Sequence, residues 1–77
     1  MGNVVKTRVF QRYLKAMGFY LKSVKGSHEH WDRKDKPLRR PITVDNAKDE
    51  VPEFHINNAL PYLGISKKEF WKEIKNY

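Results

Sequence analysis

The sequence predicts an α+β fold, an α-β-β-β-α sandwich with a short extra helix at its C-terminal end. Three observations predict it. Apolar residues recur at helical spacing from about Thr7 to Met17; the period then changes to two from Phe19 to Val44, broken by Gly- and Pro-containing turns; and helical spacing returns after Pro52. With 77 residues, 39% of them hydrophobic, the chain suffices for one domain spanning residues 1–77. A chain of that size buries only about 60% of its unfolded surface, so the core is small.

In the first segment Val9, Phe10, Tyr13, Leu14 and Met17 share one arc of a helical wheel, and Arg8, Gln11, Arg12 and Lys15 share the other. Gly18 follows the last periodic residue, where a left-handed helix end suits a residue without Cβ. From Phe19 a strand is expected, with Phe19 and Leu21 facing inward, followed by a tight turn at Lys25-Gly26. A second strand, Ser27 to Arg33, returns antiparallel. Asp35-Lys36-Pro37 breaks it, and Arg40-Pro41-Ile42-Thr43-Val44 alternates as the third strand, with Pro41 at its start or on an edge.

Pro52 suits a first helical turn, and Ile56, Ala59, Leu60 and Leu63 form the apolar stripe of the helix it opens. Pro61 removes a backbone donor inside that stripe, so a kink or early end is expected there. After Gly64, the Ser66-x-x-Glu69 pattern of a capping box opens the last helix, which carries Phe70, Trp71 and Ile74. Phe70, Trp71 and Tyr62 are read as core or partner-facing residues, and His55 as capping or lining a helix groove. Two helices covering one face of the meander bury their stripes and leave the other face to solvent, the layout of a double-stranded-RNA-binding domain.

Charge is concentrated in one half of the chain. Residues 1–40 hold eleven Lys or Arg against three acids, and residues 41–77 hold five against six. Such a local surplus attracts polyanions and makes nucleic acid the leading partner class. There is no cysteine, hence no disulfide framework and no zinc-finger spacing. No apolar run approaches the roughly 18 residues of a membrane span. The N-terminus lacks a signal-peptide stretch, and a soluble, cytoplasmic protein without a membrane partner is expected.

On the second strand His28, His30 and Asp32 share one face, and Ser27, Glu29, Trp31 and Arg33 the other. Trp31 is expected to anchor the core, which sends both histidines outward and draws Glu29 inward. RNA carries its own nucleophile, the 2′-hydroxyl, so cleaving it requires a base, cations for the phosphorane and a proton for the leaving oxygen. Histidine as a residue type, with an unperturbed pKa near 6.5, suits general base or acid work at neutral pH, and His28 is the candidate for it. Lys22, Lys25, His30, Arg33, Arg39 and Arg40 are the candidate RNA-binding side chains, and the Gly26-Ser27 turn lets a phosphate approach backbone N–H groups. Three other readings stay open at this point: a non-catalytic RNA-binding module, a protein-interaction domain using the aromatic C-terminal helix, and metal ligation by His28, His30 and Asp32. Side chains at that spacing diverge and no fourth ligand is evident, so neither metal nor small-molecule cofactor is expected. The lack of a clustered carboxylate set argues against a two-metal nuclease.

Two stretches, "YLKAMGFYLKSVKGSHEHW" and "NNALPYLGISKKEF", resemble the HicA family of toxin–antitoxin toxins across roughly residues 9 to 70. In the first, a helix ends in Gly18-Phe19 and a strand leads to Gly26-Ser27-His28; in the second, a helix ends in Leu63-Gly64-Ile65-Ser66. The resemblance implies a double-stranded-RNA-binding-like fold, cleavage of mRNA with His28 as the catalytic residue, and silencing by a HicB antitoxin encoded alongside. One element departs from the family. Members usually follow the third strand with Pro-x-His, whereas Thr43-Val44 is followed here by Asp45-Asn46-Ala47, and His55 falls inside the second helix.

Overall fold

A computed structural model describes residues 4–77, and in it the first helix, α1 (Thr7–Ala16), buries Phe10, Tyr13 and Leu14 of the expected arc, leaves Val9 half-buried and buries Thr7 as well. Gly18 follows the helix at φ 92°, in the left-handed region. Three antiparallel strands come next, β2 (Phe19–Lys25), β3 (His28–Arg33) and β4 (Ile42–Asp45), in the spatial order β2-β3-β4. Helix α2 (Glu53–Leu63), helix α3 (Lys67–Glu73) and a 3₁₀ turn (Ile74–Asn76) complete the order. The fold is therefore the expected α-β-β-β-α sandwich with a C-terminal helix.

Trp31, Ile42, Val44 and Phe19 form the inward face of the sheet, and Ile56, Ala59 and Leu63 of α2 join the same core. Helix α3 adds Phe70, which packs edge-on against Tyr13 at 5.4 Å and Phe10 at 6.1 Å between ring centres. The buried Tyr13 hydroxyl donates to Glu73 at 3.2 Å. Burial, reinforced by that carboxylate, pushes the phenol pKa far up, so Tyr13 is a neutral structural donor. Ser66 caps α3 by accepting from the Glu69 N–H at 3.1 Å, as the Ser-x-x-Glu pattern requires.

The structure corrects four expectations. Leu21 is 43% exposed rather than core, although it pairs with buried Trp31, because burial along β2 is confined to its Phe19 end. The tight turn is Gly26-Ser27, with Lys25 paired to His28; Gly26 sits at φ 62° and Ser27 has no positive φ, the pattern of a type II′ hairpin. Pro61 does not break α2. It stands in the last turn, exposed, where its missing N–H forfeits one bond while buried Leu63 and the Gly64 N–H to Leu60 C=O bond, 3.0 Å, close the helix. Finally, a second sheet is present: β1 (Val5–Lys6) pairs antiparallel with β5 (Glu50–Val51), burying Val5 and Val51 and laying the Asp45-to-Glu50 stretch against the start of α1. There the Thr7 hydroxyl donates to the Lys48 carbonyl at 2.6 Å, and the Thr7 N–H to the Asp49 carbonyl at 2.8 Å.

Candidate functional site

Glu29 decides which way β3 faces. Its carboxylate is 9% exposed and accepts from Gln11 Nε2 of α1 at 2.9 Å, from Trp31 Nε1 at 3.1 Å and from Asn46 Nδ2 at 3.1 Å. A buried anion with three donors is satisfied, so Glu29 shares the inward face with Trp31. Strand alternation then sends His28, exposed, and His30, half-buried, to the outer face.

On that face the register sets Lys25, His28 and Asp45 side by side across β2, β3 and β4, and Ser23, His30 and Thr43 in the next row. Asp45 accepts from the Ala47 N–H at 3.0 Å, and this bond, opposed by partial burial and aided by the Ser27 hydroxyl, His28 and Lys48, holds its carboxyl below the ordinary range. An ionised carboxylate therefore stands beside His28. The Asn46 N–H also donates to the Ser27 carbonyl at 2.8 Å, so the turn before His28 is tied to the residue after Asp45.

The remaining candidates divide. Lys22 and Lys25 are exposed, and Lys22 Nζ lies 3.6 Å from Asp32 Oδ2 on the outer face. Arg33 sits opposite Phe19 at the other end of β3; its guanidinium lies 5.3 Å from the Phe19 ring centre and donates to Asp35 at 2.9 and 3.2 Å. Arg39 and Arg40 are exposed before β4, at the end of that strand remote from Asp45 and His28. The structure thus gathers Lys22, Lys25, Ser27, His28 and His30 and sets Arg33, Arg39 and Arg40 apart.

His28, His30 and Asp32 do not form a metal site. Asp32 is buried and accepts from the Leu38 N–H at 2.9 Å and the Arg33 N–H at 2.7 Å, which hold its carboxyl below the ordinary range, with Lys22 adding to them against burial. Among the described residues no group of three or more His, Cys, Asp or Glu is placed to hold a metal ion.

Asp45 is the residue that reading the sequence missed, while His55, expected to cap or line a helix groove, does line one between β4 and α2, with neighbours that reading did not foresee. Asp45 meets His28 only through the β3–β4 register. His55, in the first turn of α2, lies within electrostatic reach of His28, Asp45 and Lys48; burial lowers its pKa first, Lys48 and His28 lower it further, and Asp45 opposes them. Its Nδ1 is buried without a hydrogen-bond partner among the described residues. The only signal in the sequence was a histidine after a helix start, which does not reveal its spatial neighbours.

Fold and site together define a small basic α+β protein whose open sheet face carries a histidine between a lysine and a carboxylate. The family model described as HicA toxin of bacterial toxin-antitoxin matches residues 8–65, and the chain belongs to that family. It is accordingly a toxin of a toxin–antitoxin system, with a cognate antitoxin as its partner. No curated protein and no solved structure matches the chain. Among the described residues no helix is long and apolar enough to cross a membrane.

Proposed function

We propose that this toxin is a metal-independent mRNA endoribonuclease of the cytoplasm, a single double-stranded-RNA-binding-like domain that uses His28 as general base or acid and is silenced by a HicB-like antitoxin. The observation that carries the reading is the exposed His28, first residue of β3, directly behind the Gly26-Ser27 turn and between Lys25 and Asp45. As base, the neutral imidazole takes the 2′-hydroxyl proton while the 2′-oxygen attacks phosphorus. The P–O5′ bond breaks, the 5′-oxygen takes up a proton, and a 2′,3′-cyclic phosphate remains. Asp45 favours the imidazolium formed in the first step, and Lys25 with the turn N–H groups offsets charge on the phosphorane. Lys22, Ser27 and His30 line the same face and hold the strand; Arg33, Arg39 and Arg40 add longer-range attraction.

A defined RNA incubated with the purified protein in EDTA, beside the His28→Ala variant, tests this. Fragments from the parent and a loss of about 100-fold or more in the variant are expected for removal of a general base. Equal cleavage by both refutes the role of His28. A non-catalytic RNA-binding module is the second reading, favoured by Asp45-Asn46-Ala47, which follows the third strand in place of the Pro-x-His element. It predicts intact RNA in both lanes together with salt-sensitive binding.

A further inference from the structure

Between β4 and α2 lies a groove of about 480 Å³ that the proposed cleavage chemistry does not use. Arg40 and Thr43 line it from the strand side, and Phe54, His55, Asn58 and Tyr62 from the helix. The volume falls within the roughly 300–1,000 Å³ of small-ligand sites. Phe54 is 61% exposed, with its ring centre 4.3 Å from that of His55, so a large apolar face stands open beside polar groups. Asn58 is exposed and carries both a donor and an acceptor. His55 lines the groove beside them, its Nδ1 turned away from solvent and without a partner among the described residues.

We propose that this groove is a base-recognition subsite, taking one unpaired nucleobase of the RNA strand held at His28. Phe54 and Tyr62 provide stacking faces, Asn58 reads the base edge, and Arg40 meets a neighbouring phosphate. The chemistry favours a nucleobase over an apolar protein side chain, which would cover the Asn58 amide without giving it a partner, whereas single-stranded RNA is recognised by this pairing of aromatic faces with edge-reading polar groups. Continuity with the cleavage face comes through Thr43, which lines the groove and pairs with His30 in the row next to His28 and Asp45. The inference rests on the RNA reading of the His28 face, and its test reads binding apart from cleavage.

Short single-stranded RNAs carrying 2-aminopurine are titrated into the His28→Ala protein and into the same protein with Phe54→Ala or Asn58→Ala added. The expected result is fluorescence quenching by the His28→Ala protein and an affinity about ten-fold weaker with Phe54→Ala, as loss of one stacked base implies. Asn58→Ala is expected to level the preference among RNAs that differ at a single base. Both residues are exposed, and matching circular dichroism confirms that the fold is kept. Quenching that depends on Phe54 while the parent leaves RNA uncut in EDTA upholds the subsite and removes the nuclease reading. Cleavage by the parent with quenching and base preference indifferent to both substitutions overturns the subsite alone. No quenching with any RNA overturns it, as does loss of antitoxin binding, with RNA binding unchanged, in Phe54→Ala.

Discussion

Replacing Glu29 with alanine removes the single acceptor shared by Gln11, Trp31 and Asn46. The indole N–H of Trp31, in a residue 2% exposed, then has no replacement, and an unsatisfied buried donor costs about 1–3 kcal/mol. Gln11 is half-buried and Asn46 exposed, so both can turn to water, and their two bonds add about 0.5 kcal/mol each. Removing a buried charge returns part of its desolvation cost. The net loss is about 2 kcal/mol, large for a chain of this length, whose total stability is about 4–12 kcal/mol. Urea unfolding followed by tryptophan fluorescence should show a midpoint about 2 M lower, taking a slope of about 1 kcal/mol per M. Glu29→Gln keeps an oxygen for Trp31 and should lose about 1 kcal/mol or less. An unchanged midpoint in Glu29→Ala, or equal losses in the two variants, would refute the claim that the carboxylate holds β3 with its histidines outward.

Gly64 ends α2 at φ 73°, with open space where a Cβ would stand, so Gly64→Ala carries a backbone cost alone. About 1 kcal/mol, or a melting temperature lower by about 4–8 °C in calorimetry, is expected. His55 has a lowered pKa in the fold, so the unfolded chain takes up the proton first; stability should fall as pH drops through the ordinary value of 6.5, and less so in His55→Gln, as melts at pH 7.5 and 5.5 will show. Asp32 is held below its ordinary 3.8 by the Leu38 and Arg33 N–H groups, so its stabilisation is present above that value and lost as pH falls through the folded pKa; Asp32→Asn should cost more at pH 7 than at pH 3 in urea titrations. Docking of an acidic antitoxin segment on the basic face would make Lys25→Glu or Arg40→Glu weaken the complex about ten-fold or more and added salt weaken the parent complex. A complex indifferent to both changes argues against that docking.

Much of the architecture was legible because it is local. The stripe of Phe10, Tyr13 and Leu14, the glycines at 18 and 64 and the Ser66 cap each depend on residues within a turn or two, and each appears where the pattern sets it. Period-two alternation likewise put Trp31 and Glu29 on one face and the two histidines on the other. Local pattern misled where a distant partner intervened. Leu21 alternates correctly and pairs with buried Trp31 yet lies exposed, because the reach of the helix layer, not its own period, decides what covers it. The two-residue strands Val5–Lys6 and Glu50–Val51 are too short to have a period at all.

The sequence by itself determined the order of the helices and of the three longer strands, the basic half of the chain and the placement of His28 on an open strand face behind a glycine turn, since short-range sterics and burial govern all three. Only the tertiary structure decided what surrounds that histidine. Asp45 reaches it by strand register, His55 by the docking of α2 beside β4, and Arg39 and Arg40 are set apart from it at the far end of the same strand. These juxtapositions join residues 17 to 27 positions apart and keep from His28 residues only 11 or 12 positions away, and chain closure around the Trp31 core, which no local pattern encodes, sets them.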